Sequence, residues 1–145
     1  MQALLGEIRS FLHSLRQATP ELFKTARPRP LPRNGDRLFH QRAALWSERM
    51  GISYKRLSVK QQRTRWGSAS AKRNLNFNRR LLWAPLEVLD YVIIHELAHL
   101  REMNHSKRFW RIVAEHCPAH KEHRRWLRTH GPGLMRRALS ASAFN

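Results

Sequence analysis

At 145 residues the chain has the length of one domain and can bury a substantial core. Its 28 lysines and arginines stand against 10 acids, a formal charge of +18 that favours polyanionic or acidic partners and says nothing about fold. A single cysteine, Cys117, excludes an internal disulfide, and no apolar run approaches the roughly 18 residues of a membrane span. Glu7 and Arg9 interrupt the N-terminus, so it does not read as a secretory signal, and a soluble cytoplasmic protein is expected.

Leu4, Leu5, Ile8, Phe11, Leu12 and Leu15 recur at helical spacing, which predicts an amphipathic helix over residues 3–17 within an N-terminal segment 1–26. Residues 27–35 follow as a stiff linker, because alternating prolines (Pro28, Pro30, Pro32) impose an extended path. Asp36 can cap a helix running to Met50, with Leu38, Phe39, Leu45, Trp46 and Met50 as its stripe and Gly51 just past its end. Ile52, Tyr54, Leu57 and Val59 suggest a strand, 67–74 a turn, and Leu75-Asn76-Phe77-Asn78 a second strand, together a small antiparallel pair. Pro85 suits the first turn of a helix over about 85–103, whose stripe is Leu86, Leu89, Ile93, Leu97 and Leu100. A further helix from Ser106 to about Cys117 turns Phe109, Trp110 and Val113 inwards. The last, about 119–130, should stop at Gly131-Pro132-Gly133, leaving 132–145 as a loose tail behind a main domain of 36–131.

The chemistry concentrates in His95-Glu96-Leu97-Ala98-His99. Residues four apart share a helix face, so His95 and His99 can offer two imidazole nitrogens to one metal ion. Glu96 projects about 100° round the same helix, close enough to take a proton from a water held there. A continuous helix would carry His105 away, so the helix must stop and fold back for His105 to join. Asn104, tolerant of the left-handed conformation, could end it, and Ser106 could cap the next helix. Three protein ligands with one open position is the catalytic zinc arrangement, although another divalent metal could serve. The plain alternative is a buried helix carrying surface histidines. His116, His120, His123 and His130 could each replace His105 or simply be solvated. Glu102 and Asp90 could support the ligands, but Asp90 points elsewhere on the helix and reads as structural.

The basic residues allow two further readings. Arg63, Arg65, Lys72, Arg73, Arg79 and Arg80 near the sheet could neutralise the phosphates of a nucleotide. Lys121, Arg124, Arg125 and Arg128, with Arg136 and Arg137, could meet nucleic acid. Trp126 would then be available for stacking, though it reads better as core. The oligomeric state is not legible.

Arg63-Thr64-Arg65-Trp66-Gly67-Ser68, Leu75-Asn76-Phe77-Asn78, the run Asp90 to Leu100 and Asn104 to Trp110 together resemble the YgjP-like metal-dependent hydrolases, zincins laid out like the SprT-like proteases. The likeness spans roughly residues 38–130. It implies an α+β, zincin-like fold with the His-Glu-x-x-His helix beside a small antiparallel sheet. It implies His95, His99 and His105 as metal ligands, Glu96 as general base or acid, and a peptide or protein substrate. Some proteins of this family are described as nucleotide pyrophosphatases, which keeps a phosphoanhydride substrate open. The chain departs from the family pattern at Ala69, where a cysteine is common, and in its short helix and proline linker in place of a longer β-rich front. The spacing from His99 to His105 also equals that of the metzincins, but Glu102 occupies their glycine position.

Overall fold

The computed structural model describes residues 34–137; the expected N-terminal helix, most of the proline linker and residues 138–145 lie outside them. Helix α1 (Gly35–Met50) buries Phe39, Ala43 and Met50, a four- and seven-residue spacing that keeps one stripe facing inwards. The cap falls two residues earlier than Asp36. Asn34 takes the capping position without a side-chain bond, and Asp36 lies in the first turn, where a carboxylate favours the positive helix end. Gly51 closes the helix in the left-handed region (φ 63°), and its N–H and that of Ile52 donate to the carbonyls of Glu48 and Ser47.

The sheet has three strands, β1 (Arg56–Lys60), β2 (Gly67–Ala69) and β3 (Asn74–Asn78), in the order β1-β3-β2. This corrects the antiparallel pair. β1 runs parallel to β3, while β2, part of the stretch expected to be only a turn, runs antiparallel to it. The reason is local. Arg73 adopts φ 64° and its N–H donates to the Ser70 carbonyl, so the chain reverses within Ser70–Arg73 and residues 67–69 are left to pair. The long connection from Lys60, which contains β2, brings the chain back in the same direction as β1. β3 is thereby the central strand, with Leu75, Phe77 and Asn78 buried.

A 3-10 turn (Arg79–Trp83) leads to α2 (Leu86–His99), which packs against α1, β2, that turn and both following helices. Ten of its residues are buried, from Val88 to His99, so it is the central helix of the domain. It is shorter than expected: Pro85 caps it and it ends at His99. Leu86, expected in the inward stripe, is exposed at the helix start. Arg42 of α1 grips Asp90 through a two-bond fork (Nε to Oδ1 2.8 Å, Nη2 to Oδ2 2.5 Å), which gives Asp90 its structural use.

Helix α3 (Lys107–His116) is capped by Ser106, whose Oγ accepts from Phe109 N at 3.3 Å. Helix α4 (His120–Arg136) does not stop at Gly131 but continues through Pro132. An interior proline costs about 3 kcal/mol, so the last turn needs compensation from elsewhere. It has several contacts: Met135 Sδ lies 3.5 Å from Asn78 Nδ2, Arg80 Nε donates to the Arg137 carbonyl at 3.3 Å, and the Arg137 guanidinium lies over Trp83 at 5.2 Å. Among the described residues no helix is long and apolar enough to cross a membrane.

Asn78 ties these parts together from a fully buried position. Its Nδ2 donates to the carbonyls of Gln62 (2.8 Å) and Arg65 (2.9 Å), and its Oδ1 accepts from Arg80 N (3.0 Å). Asn78→Ala removes all three bonds and leaves the Gln62 carbonyl only its bond from Arg80, and guanidinium unfolding should report a loss of about 2–4 kcal/mol.

Candidate metal centre

The centre is set by where α2 ends. Helical spacing stacks His95 and His99 on one face, and their Nε2 atoms lie 3.2 Å apart. Beyond His99 the backbone tightens: Leu100 N donates to the Leu97 carbonyl, and the N–H groups of Arg101 and Glu102 both donate to Ala98. The chain then returns with His105, whose Nε2 reaches 3.3 Å from that of His95. Asn104 plays no left-handed part in this reversal. Among the described non-glycine residues only Arg73 has positive φ, and Leu100 ends the helix at φ −71°. The ring nitrogens of His95, His99 and His105 form a group able to hold one ion, all within 4.8 Å of one another. A tetrahedral ion with ligand distances of 2.0–2.1 Å separates its nitrogens by about 3.3 Å, so the spacing at His95 fits zinc.

The surroundings fix the rings. His99 Nδ1 lies 3.1 Å from the Glu102 carbonyl and must be the protonated nitrogen, which leaves the Nε2 lone pair facing inwards. Glu102 thus serves through its backbone, not its carboxylate. Phe109, fully buried, packs against all three rings, with centroids 4.9 Å from His95, 4.4 Å from His99 and 4.9 Å from His105. Trp110 stacks on His105 at 5.9 Å. His95 Nδ1 is buried without a protein partner.

Burial pushes the His95 imidazole down to about 3, helped by the positive fields of His99, His105 and Arg124. His99 is lowered too, chiefly by burial, against the raising effect of its bond to Glu102. Neutral imidazole is the form that binds metal. The same burial pushes the Glu96 carboxyl up to about 7, against an opposing pull from Arg65.

Glu96 is buried against β2, and this explains Gly67. A Cβ there would sit 2.9 Å from Glu96 Cγ, 3.1 Å from its Oε1 and 3.2 Å from the Asn76 carbonyl. Glu96 and His95 form one side of a cavity of about 300 Å³, completed by Arg65, Trp66, Gly67, Tyr91, Val92, Arg124 and Leu127. Burial pushes the Tyr91 hydroxyl up to about 12. In the sequence Gly67, Tyr91 and Phe109 have no individual role at this site, and Arg124 belongs to a cluster that could meet nucleic acid. Only the Arg-Trp-Gly-Ser run pointed towards this wall.

No other described histidine joins the group. His120 stacks on Trp110 at 5.6 Å, His130 on Trp126 at 4.5 Å, and half-buried His123 lies 6.2 Å from Tyr91. Trp126 packs against the core, as expected. Of the basic residues near the sheet, Arg79 is forked onto Asp36 (2.9 and 2.6 Å), Arg73 onto the Ser53 carbonyl, and Arg80 onto the carbonyls of Gln62 (3.1 Å) and Arg137.

Residues 6–130 match the family described as YgjP-like, metallopeptidase domain. The chain belongs to the YgjP-like family. It is accordingly a metallohydrolase with a need for a divalent metal. The match reaches residue 6 and so takes in the front segment. The metallopeptidase zymogen of Pyrococcus abyssi abylysin is similar in structure, with a TM-score of 0.57 and 23% identity over 63% of this chain and 93% of that one. At that identity the likeness concerns the fold: α+β, with a mixed three-stranded sheet beside the central helix. No curated protein matches the sequence.

The raised Glu96 carboxyl has a consequence for the metal-free protein. Between 4.5 and about 7 the folded state holds a proton that the unfolded state has lost, so stability falls as pH rises through that window. Glu96→Gln removes this dependence. Without metal, the variant should match wild type near pH 4 and exceed it by on the order of 3 kcal/mol at pH 8, read as denaturant midpoints.

Proposed function

We propose that this YgjP-like protein is a zinc-dependent metallopeptidase in which His95, His99 and His105 hold the ion and Glu96 is the general base. The observation that carries the reading is the shared wall: a buried carboxyl and an imidazole of the three-histidine group open onto one cavity. When bound, zinc supplies Lewis acidity, polarising the scissile carbonyl and lowering the pKa of water towards 7.

The chain's own residues do the rest. Burial holds His95 and His99 towards their neutral, metal-binding form, and the three rings face one another. Phe109 keeps the back of the rings dry. Glu96, raised towards neutrality, takes a proton from the attacking water and hands it to the leaving amine, a transfer worth on the order of 10²–10⁴ in rate. An extended substrate needs a sheet edge. β3 is flanked on both sides, so the free edge of β2 next to Glu96 is the one a substrate would join.

A phosphoanhydride substrate would call on the basic residues at the sheet. Of that group Arg73, Arg79 and Arg80 are engaged within the fold and Arg65 alone lines the cavity, which favours a peptide. The exposed arginines of α4 remain compatible with a nucleic-acid partner, and salt dependence of binding would reveal it. The single cysteine and the absence of a spanning helix among the described residues suit a cytoplasmic enzyme.

Elemental analysis should find about one zinc per wild-type chain and a marked loss in His105→Ala. Glu96→Gln should keep its zinc and lose on the order of 10²–10⁴ in peptide hydrolysis. Full hydrolysis by zinc-loaded Glu96→Gln would remove Glu96 from the mechanism. In parallel, a panel of nucleoside triphosphates should be left intact.

A further inference from the structure

The cavity beside Glu96 carries more charge than hydrolysis requires. Its chamber is walled by Trp66, Tyr91, Val92 and Leu127, and two guanidinium side chains, Arg65 and Arg124, approach it from different elements. Arg65 comes from the segment before β2 and Arg124 from the first half of α4. Both are exposed, and the ion pairs of the described residues include neither, although Arg65 acts on the Glu96 carboxyl from across the cavity. Arg124 is also held in place, since its guanidinium lies over the Trp110 ring at 5.2 Å, and Trp110 stacks on His105. Gly131 steadies the far wall: a Cβ there would lie 3.0 Å from Trp66, so the indole packs directly against the α4 backbone.

We infer that this cavity is a side-chain pocket selective for an acidic residue on the amine side of the cleaved bond. The inference rests on the peptidase reading and names its substrate class. Position follows from Glu96, which lines the cavity and delivers the proton to the leaving nitrogen; the residue bearing that nitrogen is the one beside the pocket. Size follows from volume, because about 300 Å³ is at the lower end for ligand sites and suits one side chain. Charge follows from the arginines. Glutamate lays its methylenes on Trp66, Tyr91 and Leu127 and brings its carboxylate to two cations. Glutamine fits the same space without the charge-assisted bonds, and lysine meets like charge.

The test uses the full chain loaded with zinc. A peptide library blocked at both ends, so that side chains carry the only carboxylates, is digested and the cleavage sites are read by mass spectrometry. Matched peptides with Glu, Gln or Lys after the cleaved bond then give kcat/KM. Glutamate should exceed glutamine by about 10- to 100-fold, with lysine lowest. Arg65→Gln and Arg124→Gln should each lower that ratio by raising KM for the glutamate peptide, with zinc content unchanged, and Arg124→Lys should recover part of it. Equal cleavage of the Glu and Gln peptides, or a ratio that survives in the double glutamine variant, overturns the pocket and leaves the peptidase standing. Failure of the zinc-loaded chain to cleave any peptide overturns both.

Discussion

Three imidazole nitrogens gathered within 4.8 Å, with that of His95 little more than 3 Å from each of the other two, cannot satisfy one another. One shared proton can bridge two of them, and the third lone pair is left against its neighbours. Holding them so requires a framework stiff enough to resist the rings turning outwards. The central helix provides it by being packed against α1, β2, α3 and α4, and rotation of His95 or His99 would break their ring contacts with Phe109. Phe109 contributes the matching contact from below, and the Ser106 cap fixes where Phe109 begins its helix. The site and the core are thus the same packing problem.

This framework accounts for the opposed electrostatics of the site. The burial that keeps His95 neutral also resists ionisation of Glu96. Without a cation, neither group gains from carrying charge there. A divalent ion reverses the balance for the carboxylate and makes use of the imidazole lone pairs, so the metal-free centre is prepared for a positive charge.

Much of the centre was legible because it is local. Two histidines four apart on a helix share a face whatever surrounds them, and Ser106 before an apolar run reads as a cap. The parts that were not legible depend on distant residues. Parallel pairing of β1 with β3 is decided by the path between them, and a strand of three residues, Gly67–Ala69, is too short to announce itself against a turn-like composition. Pro132 reads as a stop, and it is Asn78, Arg80 and Trp83, distant in sequence, that hold the turn continuing past it. Gly67 has a meaning only once Glu96 is known to lie against it, and Asn104 was given a conformation that the tightened turn at Leu100 had already made unnecessary.

The shortness of β2 carries a final implication. Three residues span about 10 Å of extended chain, enough for a few main-chain bonds and no more. Backbone pairing at so brief a rim anchors any polypeptide weakly and without regard to sequence. A bound segment would slide unless its side groups found holds, and a folded domain, having no loose stretch to lay along the rim, would be passed over. On the proposed reading of this edge, choice among targets would fall to unstructured segments and to whatever their side groups meet on either side.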